Sequence, residues 1–156
     1  MIQEISWNEI ELIWREHLWP YRTTPIEPTS AMMWQAGYNI DNMEFEPTFF
    51  GYFYRKKLIG VNSGHLCMLD RDDTKGKHYR SRGLWVDPKH RGKGIGQKLL
   101  TAAVEQGKDL GCNMVWSYPR KTSWSTYKAV GFKLDTKWIK TENGSNAYCS
   151  LNTESW

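Results

Sequence analysis

The sequence predicts an α/β (α+β) fold, a single mixed β-sheet of about seven strands flanked by helices. Three observations lead there. Short runs rich in aromatic and β-branched residues between 48 and 86 read as consecutive strands. Residues 95–110 then switch to helical spacing, and a further strand, helix and strand pair follow. Elements alternating in this order pack as layers around one sheet. At 156 residues the chain fits one domain, 1–156, that can bury a core without disulfides or metal.

The elements follow in order. After a short opening strand, residues 7–18 place Trp7, Ile10, Ile13 or Trp14, and Leu18 on one helical face, with acids opposite and Ser6 as N-cap. Pro20, Pro25 and Pro28 end that helix in a loop. A short second helix is expected around Ala31–Gly37. Three strands follow, TFFGYFYR, LIGVNSGHLCML and HYRSRGLWV, joined by the turn at Lys56–Lys57 and the polar loop Asp70–Lys77. In the 95–110 helix, Ile95, Leu99, Ala103 and Leu110 share a face, and Gly111 stops it. NMVWSY is a strand, 122–130 is a helix closed by Gly131, and FKLDTKWIK and NAYCSLN form a final antiparallel pair around Glu142–Ser145.

Composition narrows the class. Apolar residues make up 40% of the chain and aromatics 14%, including nine Trp, which is too apolar for a disordered chain. Most of those rings belong to core packing, and some suit the walls of a pocket. Three widely spaced cysteines (Cys67, Cys112, Cys149) form no even framework, so reduced thiols and a cytoplasmic location are expected. With four His and no ligand spacing, no metal is expected. No stretch reads as a signal peptide or membrane span, so no membrane partner is expected either. The net charge of +4 is uneven: residues 1–50 carry −6, residues 51–100 carry +8, and the rest +2. The middle third therefore suits an anion or, on the plainer reading, a solvated basic face.

The informative stretch is LWVDPKHRGKGIGQKLL, Leu84 to Leu100. A strand ends at Val86, Pro88 stops its ladder, and Gly92, Gly94 and Gly96 open a helix. Helix N-termini carry unpaired N–H groups and partial positive charge, and glycines let an anion approach them. Arg91 and Lys93 add charge at the same place, which makes a phosphate or diphosphate seat. A P-loop fails because Gln97 follows Gly96 and no Ser or Thr follows Lys98. A dinucleotide fingerprint fails because the glycines run G-x-G-x-G.

The pattern R-x-x-G-x-G at Arg91, Gly94 and Gly96, after V-D-P, closely resembles the acyl-CoA motif of the GCN5-related N-acetyltransferases. Tyr127-Lys128-Ala129-Val130-Gly131-Phe132 looks like the Y-x-x-x-G-F segment that closes the CoA site in that family. The resemblance spans most of 48–151, the expected CoA-binding core, and leaves 1–47 as a variable helical region on the acceptor side. It implies a GNAT-type sheet whose two central parallel strands, ending at Val86 and lying at Met114–Tyr118, splay apart around acyl-CoA.

The reaction so implied is N-acetyl transfer from acetyl-CoA to the amine of a small molecule or peptide, directly in a ternary complex. The pyrophosphate would sit on Gly92, Lys93, Gly94, Ile95, Gly96 and Gln97, with Arg91 beside it. The pantetheine amides would pair with the backbone of Leu84, Trp85 and Val86 like an added strand. A strand-edge N–H would polarise the thioester oxygen. Tyr127 stands where the family keeps the acid that protonates the leaving thiolate, its plainer role being packing on Phe132.

Two departures matter. Arg120 stands where many members carry Asn, and Arg82 where many carry the Glu that serves as base. Three readings stay open: His65 or His78 is the base, the amine arrives neutral, or Arg82 binds an acid on the acceptor, which would then be an amino acid or an acidic peptide end. Among aromatics, Trp14 reads as the core face of the first helix, while Trp19, Tyr21, Trp34 and either Trp116 or Tyr118 are candidates for the acceptor wall. Two other functions compete: an acyl-CoA sensor without turnover, motivated by the missing Glu and Asn, and a nucleic-acid binder, motivated by the basic middle third. Dimers are common among proteins that resemble this one, and exposed final strands suit pairing into a homodimer. The sequence names neither the acceptor nor the acyl-chain preference.

Overall fold

The computed structural model describes residues 1–30, 46–69, 76–142 and 144–156. The helix expected at Ala31–Gly37 and the wall residue Trp34 lie outside the described residues, as do most of the Asp70–Lys77 loop and Asn143 of the last turn.

Strand β1 (Ile2–Glu4) leads into helix α1 (Trp7–Ile13). Ser6 caps α1 in a full capping box: its Oγ accepts from the Glu9 N–H while the Glu9 carboxylate accepts from the Ser6 N–H. Beyond Ile13 the helix continues as one wide π turn, Trp14–Leu18, before the prolines end it. Strands β2 (Thr48–Tyr54), β3 (Lys57–Leu66) and β4 (His78–Val86) form an antiparallel meander. A short 3₁₀ turn at Pro88–His90 precedes helix α2 (Ile95–Asp109), which crosses to β5 (Met114–Ser117). A second 3₁₀ turn opens helix α3 (Trp124–Val130), closed by Gly131.

The last segment differs from the expected single hairpin. It divides into β6 (Lys133–Leu134), β7 (Ile139–Thr141), β8 (Gly144–Asn146) and β9 (Cys149–Asn152). Only β6 and β9 join the main sheet, and β7 with β8 forms a separate ribbon. Thr136 explains the break. Its hydroxyl accepts from the Tyr148 N–H and donates to the Lys137 carbonyl, so side-chain bonds take groups a ladder would use.

The main sheet has seven strands in the order β1-β2-β3-β4-β5-β9-β6. Its one parallel pair, β4 with β5, lies inside. Helices α2 and α3 cover one face, burying Leu66, Tyr79, Leu100, Val104, Val115 and Phe132. The first helix covers the other face through Ile10 and Trp14, packed on Val61 and Trp85. Between β3, β4 and α2 the buried Asn62 amide donates to Ser81 Oγ and the Leu99 carbonyl, which satisfies it internally.

Trp14 does more than fill the core. It is fully buried, and its indole N–H donates to the Gly83 carbonyl at 2.8 Å. Gly83 has φ +78°, and a Cβ built there would lie 2.3 Å from the Trp14 ring. The β3–β4 register shifts opposite this point, between Val61 and Ser63. Gly83→Ala therefore combines a left-handed backbone with overpacking against a rigid ring. A stability loss of about 2 kcal/mol or more is expected in urea denaturation, and an unchanged midpoint would contradict this packing.

Candidate active site

The site begins where a ladder stops. Strands β4 and β5 pair in parallel at His78–Met114, Tyr79–Val115 and Arg80–Trp116, and no further. Strand β4 continues to Val86 while β5 ends at Ser117, so the two strands part and open a wedge. Side chains take the backbone groups at its margin. Ser117 Oγ donates to the Ser81 carbonyl at 2.7 Å, Trp14 to the Gly83 carbonyl, and Arg91 Nε to the Val86 carbonyl at 2.9 Å. Buried backbone acceptors that lose strand partners need such replacements.

The wedge opens into a cavity of about 670 Å³, within the range usual for small-molecule sites. One end is the turn into α2. Gly92 and Gly94 both have φ +79°, and nothing lies within 4 Å of where their Cβ atoms would be. Only glycine adopts that conformation without strain, and Gly94 as N-cap offers no side chain, so the first N–H groups of the 15-residue α2 stay uncovered. Arg91, Gly92, Gly94, Ile95, Gly96 and Gln97 line this end, and Lys93 does not. Leu84, Trp85 and Val86 line the β4 side.

Tyr127 lines the cavity from the α3 side. Its ring packs edge-on against Phe132 at 5.4 Å, so the packing role and the cavity position coexist. Its hydroxyl lies 3.4 Å from Ser117 Oγ, whose single proton goes to the Ser81 carbonyl. Burial is the chief reason its phenol is held well above the usual range, offset by Ser117 and by the charge of Arg80, so it keeps its proton at neutral pH.

His65 and His78 lie elsewhere. Both are fully buried, and neither lines the cavity. His65 Nε2 accepts from Ser30, N–H at 3.2 Å and Oγ at 2.9 Å, and His78 Nδ1 accepts from the Leu69 N–H. Burial first, then the charges of Arg80 and Arg82, hold His65 well below the usual imidazole range. Of the aromatic candidates, Trp19 and Tyr118 line the cavity, Trp14 and Trp116 are core, and Tyr21 is exposed.

Arg82 lines the cavity beneath the first helix. Its guanidinium lies 5.0 Å from both the Trp14 and Trp19 rings and donates to the Glu27 carbonyl at 2.7 Å. Burial and the neighbouring Arg80 and Arg22 bring its pKa down to about 10, so it stays a cation. The structure adds lining residues that the sequence reading did not single out. Arg80 sits two residues before Arg82, His17 and Leu18 come from the π turn, and Asn146 comes from β8. Arg120, noted in the sequence as standing in place of Asn, also lines the cavity, its Nη2 donating to the Leu18 carbonyl at 2.7 Å. The i, i+2 spacing of Arg80 and Arg82 on a strand was the available signal for the first. His17, Leu18 and Asn146 depend on chain crossings that no local pattern carries. No Asp or Glu is among the lining residues described.

Comparisons fit this geometry. The sequence model described as "Acetyltransferase (GNAT) family" matches residues 9–132, well over half of the chain. No curated protein matches. Among solved structures, an aminoglycoside 6'-N-acetyltransferase complexed with coenzyme A is similar over 98% of this chain and 97% of its own, with a TM-score of 0.67 at 14% identity. Escherichia coli ElaA is similar over 97% and 99%, with a TM-score of 0.67 at 13% identity. A chain of the NatC complex bound to Gag peptide and CoA is similar over 97% of both, with a TM-score of 0.66 at 16% identity. At these identities the likeness is one of fold.

The buried His65 has a measurable consequence. Its folded pKa is depressed, so its neutral form's contribution is complete above the unfolded value of about 6.5 and is lost as pH falls below it. Urea midpoints should therefore drop from pH 7.5 to 5.5, with His65 contributing up to about 1.4 kcal/mol per pH unit. His65→Gln should flatten that dependence, and an equal slope in the variant would contradict the assignment.

Proposed function

The chain belongs to the acetyltransferase (GNAT) family, and on that premise we propose that it moves an acetyl group from acetyl-CoA to the amine of a small molecule or peptide. The observation that carries this reading is the continuity of the wedge. One cavity runs from the uncovered N–H groups at Gly92–Gly96, past the β4 edge at Leu84–Val86, to the Tyr127 hydroxyl. An anion seat, an extended backbone edge and a proton donor are what pyrophosphate, pantetheine and thioester need in turn. In this reading residues 48–151 hold acetyl-CoA, with Arg91 and Lys93 adding charge near its pyrophosphate, and residues 1–47 contribute to the acceptor side.

Transfer is direct. The amine lone pair attacks the thioester carbonyl carbon, and a β4 backbone N–H stabilises the oxyanion. The C–S bond then breaks, the thiolate takes the Tyr127 proton, and the amine nitrogen releases its proton to water. Burial keeps Tyr127 protonated, and its hydroxyl lies beside Ser117 Oγ. With no carboxylate among the described lining residues, and both buried histidines outside it, the acceptor amine enters uncharged. The rate should then rise with pH toward the acceptor's own pKa. The same lack of a carboxylate favours one second reading, acyl-CoA binding without turnover.

Calorimetric titration of acetyl-CoA tests the proposal. Binding to the wild type is expected, weakened at least about tenfold in Gly94→Glu, whose carboxylate would occupy the anion seat. Arg91→Ala serves as a second variant should Gly94→Glu unfold. With an amine substrate, Tyr127→Phe should lower kcat about 100-fold or more while acetyl-CoA still binds. No binding to the wild type would sink both readings, and slow turnover indifferent to Tyr127→Phe would favour the sensor.

A further inference from the structure

The acceptor end of the cavity holds more positive charge than the transfer reaction requires. Arg80, Arg82 and Arg120 all line it, beyond the Arg91 that stands at the glycine turn. None of the three is in an ion pair among the described residues. Glu27 is near enough to act on Arg82, yet only its backbone carbonyl is bonded. Arg80 is the more telling case. Its guanidinium lies over the Trp116 ring at 4.7 Å, and its Nε is buried with no hydrogen-bond partner. A sequestered guanidinium with open donors is unfavourable unless a counter-charge arrives with a ligand. Aromatic faces (Trp116 under Arg80, Trp14 and Trp19 under Arg82) hold the two forks in place.

The position of these groups narrows the ligand. The pyrophosphate of acetyl-CoA belongs at the far end, on α2, so these arginines are left for the acceptor. Arg80 occupies the last paired rung of β4, beside Ser81, whose carbonyl is held by the Ser117 hydroxyl that also reaches Tyr127. An anion bound there lies next to the reacting atoms, so acceptor amine and acceptor anion must be only a few bonds apart. A planar fork favours a carboxylate bound through two parallel bonds.

Resting on the acetyl-transfer reading above, we propose that the acceptor is a free amino acid whose carboxylate is bound by Arg80 and Arg82, with Arg120 closing the third side. A polyamine, or a peptide N-terminus without an acidic first residue, lacks a carboxylate at that distance. Arg120 reaches the site by clamping the Leu18 carbonyl, so it also fixes the π turn over the acceptor.

The test compares paired probes. Free proteinogenic amino acids and their carboxamides are titrated into the protein saturated with CoA, which cannot react. At least one amino acid should bind roughly 10- to 100-fold tighter than its carboxamide, the worth of a charge-assisted bond. Arg82→Gln and Arg80→Gln should each remove most of that preference, with acetyl-CoA binding as the check that the variant is folded. The wild-type comparison alone remains decisive if a variant does not fold. Equal binding of acid and amide, or binding of neither by a protein that binds acetyl-CoA, overturns the inference while the transfer reading stands. Failure to bind acetyl-CoA overturns both.

Discussion

The rest of the structure depends on the parting of β4 from β5. Three rungs of parallel ladder hold the strands together, and then the backbone edges separate inside the sheet. Interior edges are unfavourable because strand groups there expect partners. The chain meets this with three side chains, each from a different element. Ser117 takes the Ser81 carbonyl, Trp14 takes Gly83, and Arg91 takes Val86. The wedge is thus an opening whose margin is satisfied by side chains in place of a strand.

Each of those side chains also serves the site. Ser117 Oγ stands beside the Tyr127 hydroxyl. Trp14 anchors the first helix, whose π turn brings His17, Leu18 and Trp19 over the cavity. Arg91 adds charge beside the glycine turn. Packing and cavity lining therefore share residues, so a change at Trp14 or Gly83 should move the wall made by His17, Leu18 and Trp19 without touching the glycine turn.

Local geometry was legible in the sequence. The Gly92–Gly96 turn announces itself because backbone freedom and a helix N-terminus leave a short pattern, and Tyr127 stands in an equally compact one. The three-strand meander and α2 follow from periodicity alone. The end of the chain was less legible: Asp135 and Thr136 look like strand residues in a row, yet the Thr136 hydroxyl diverts the backbone and splits the expected hairpin. Asn146 reaches the cavity through a contact across 28 residues, a distance over which sequence spacing carries no signal. Arg82 was noticed as a departure, whereas its partner Arg80 emerged only once both were seen on one wall.

Hydrogen exchange at the β4 edge tests the central claim most directly. On addition of acetyl-CoA, amides of Leu84–Val86 and Gly92–Gly96 should slow together, because one ligand spans the strand edge and the helix N-terminus. Protection confined to the basic surface outside the wedge, or none at all in a protein that binds the ligand, would contradict the account.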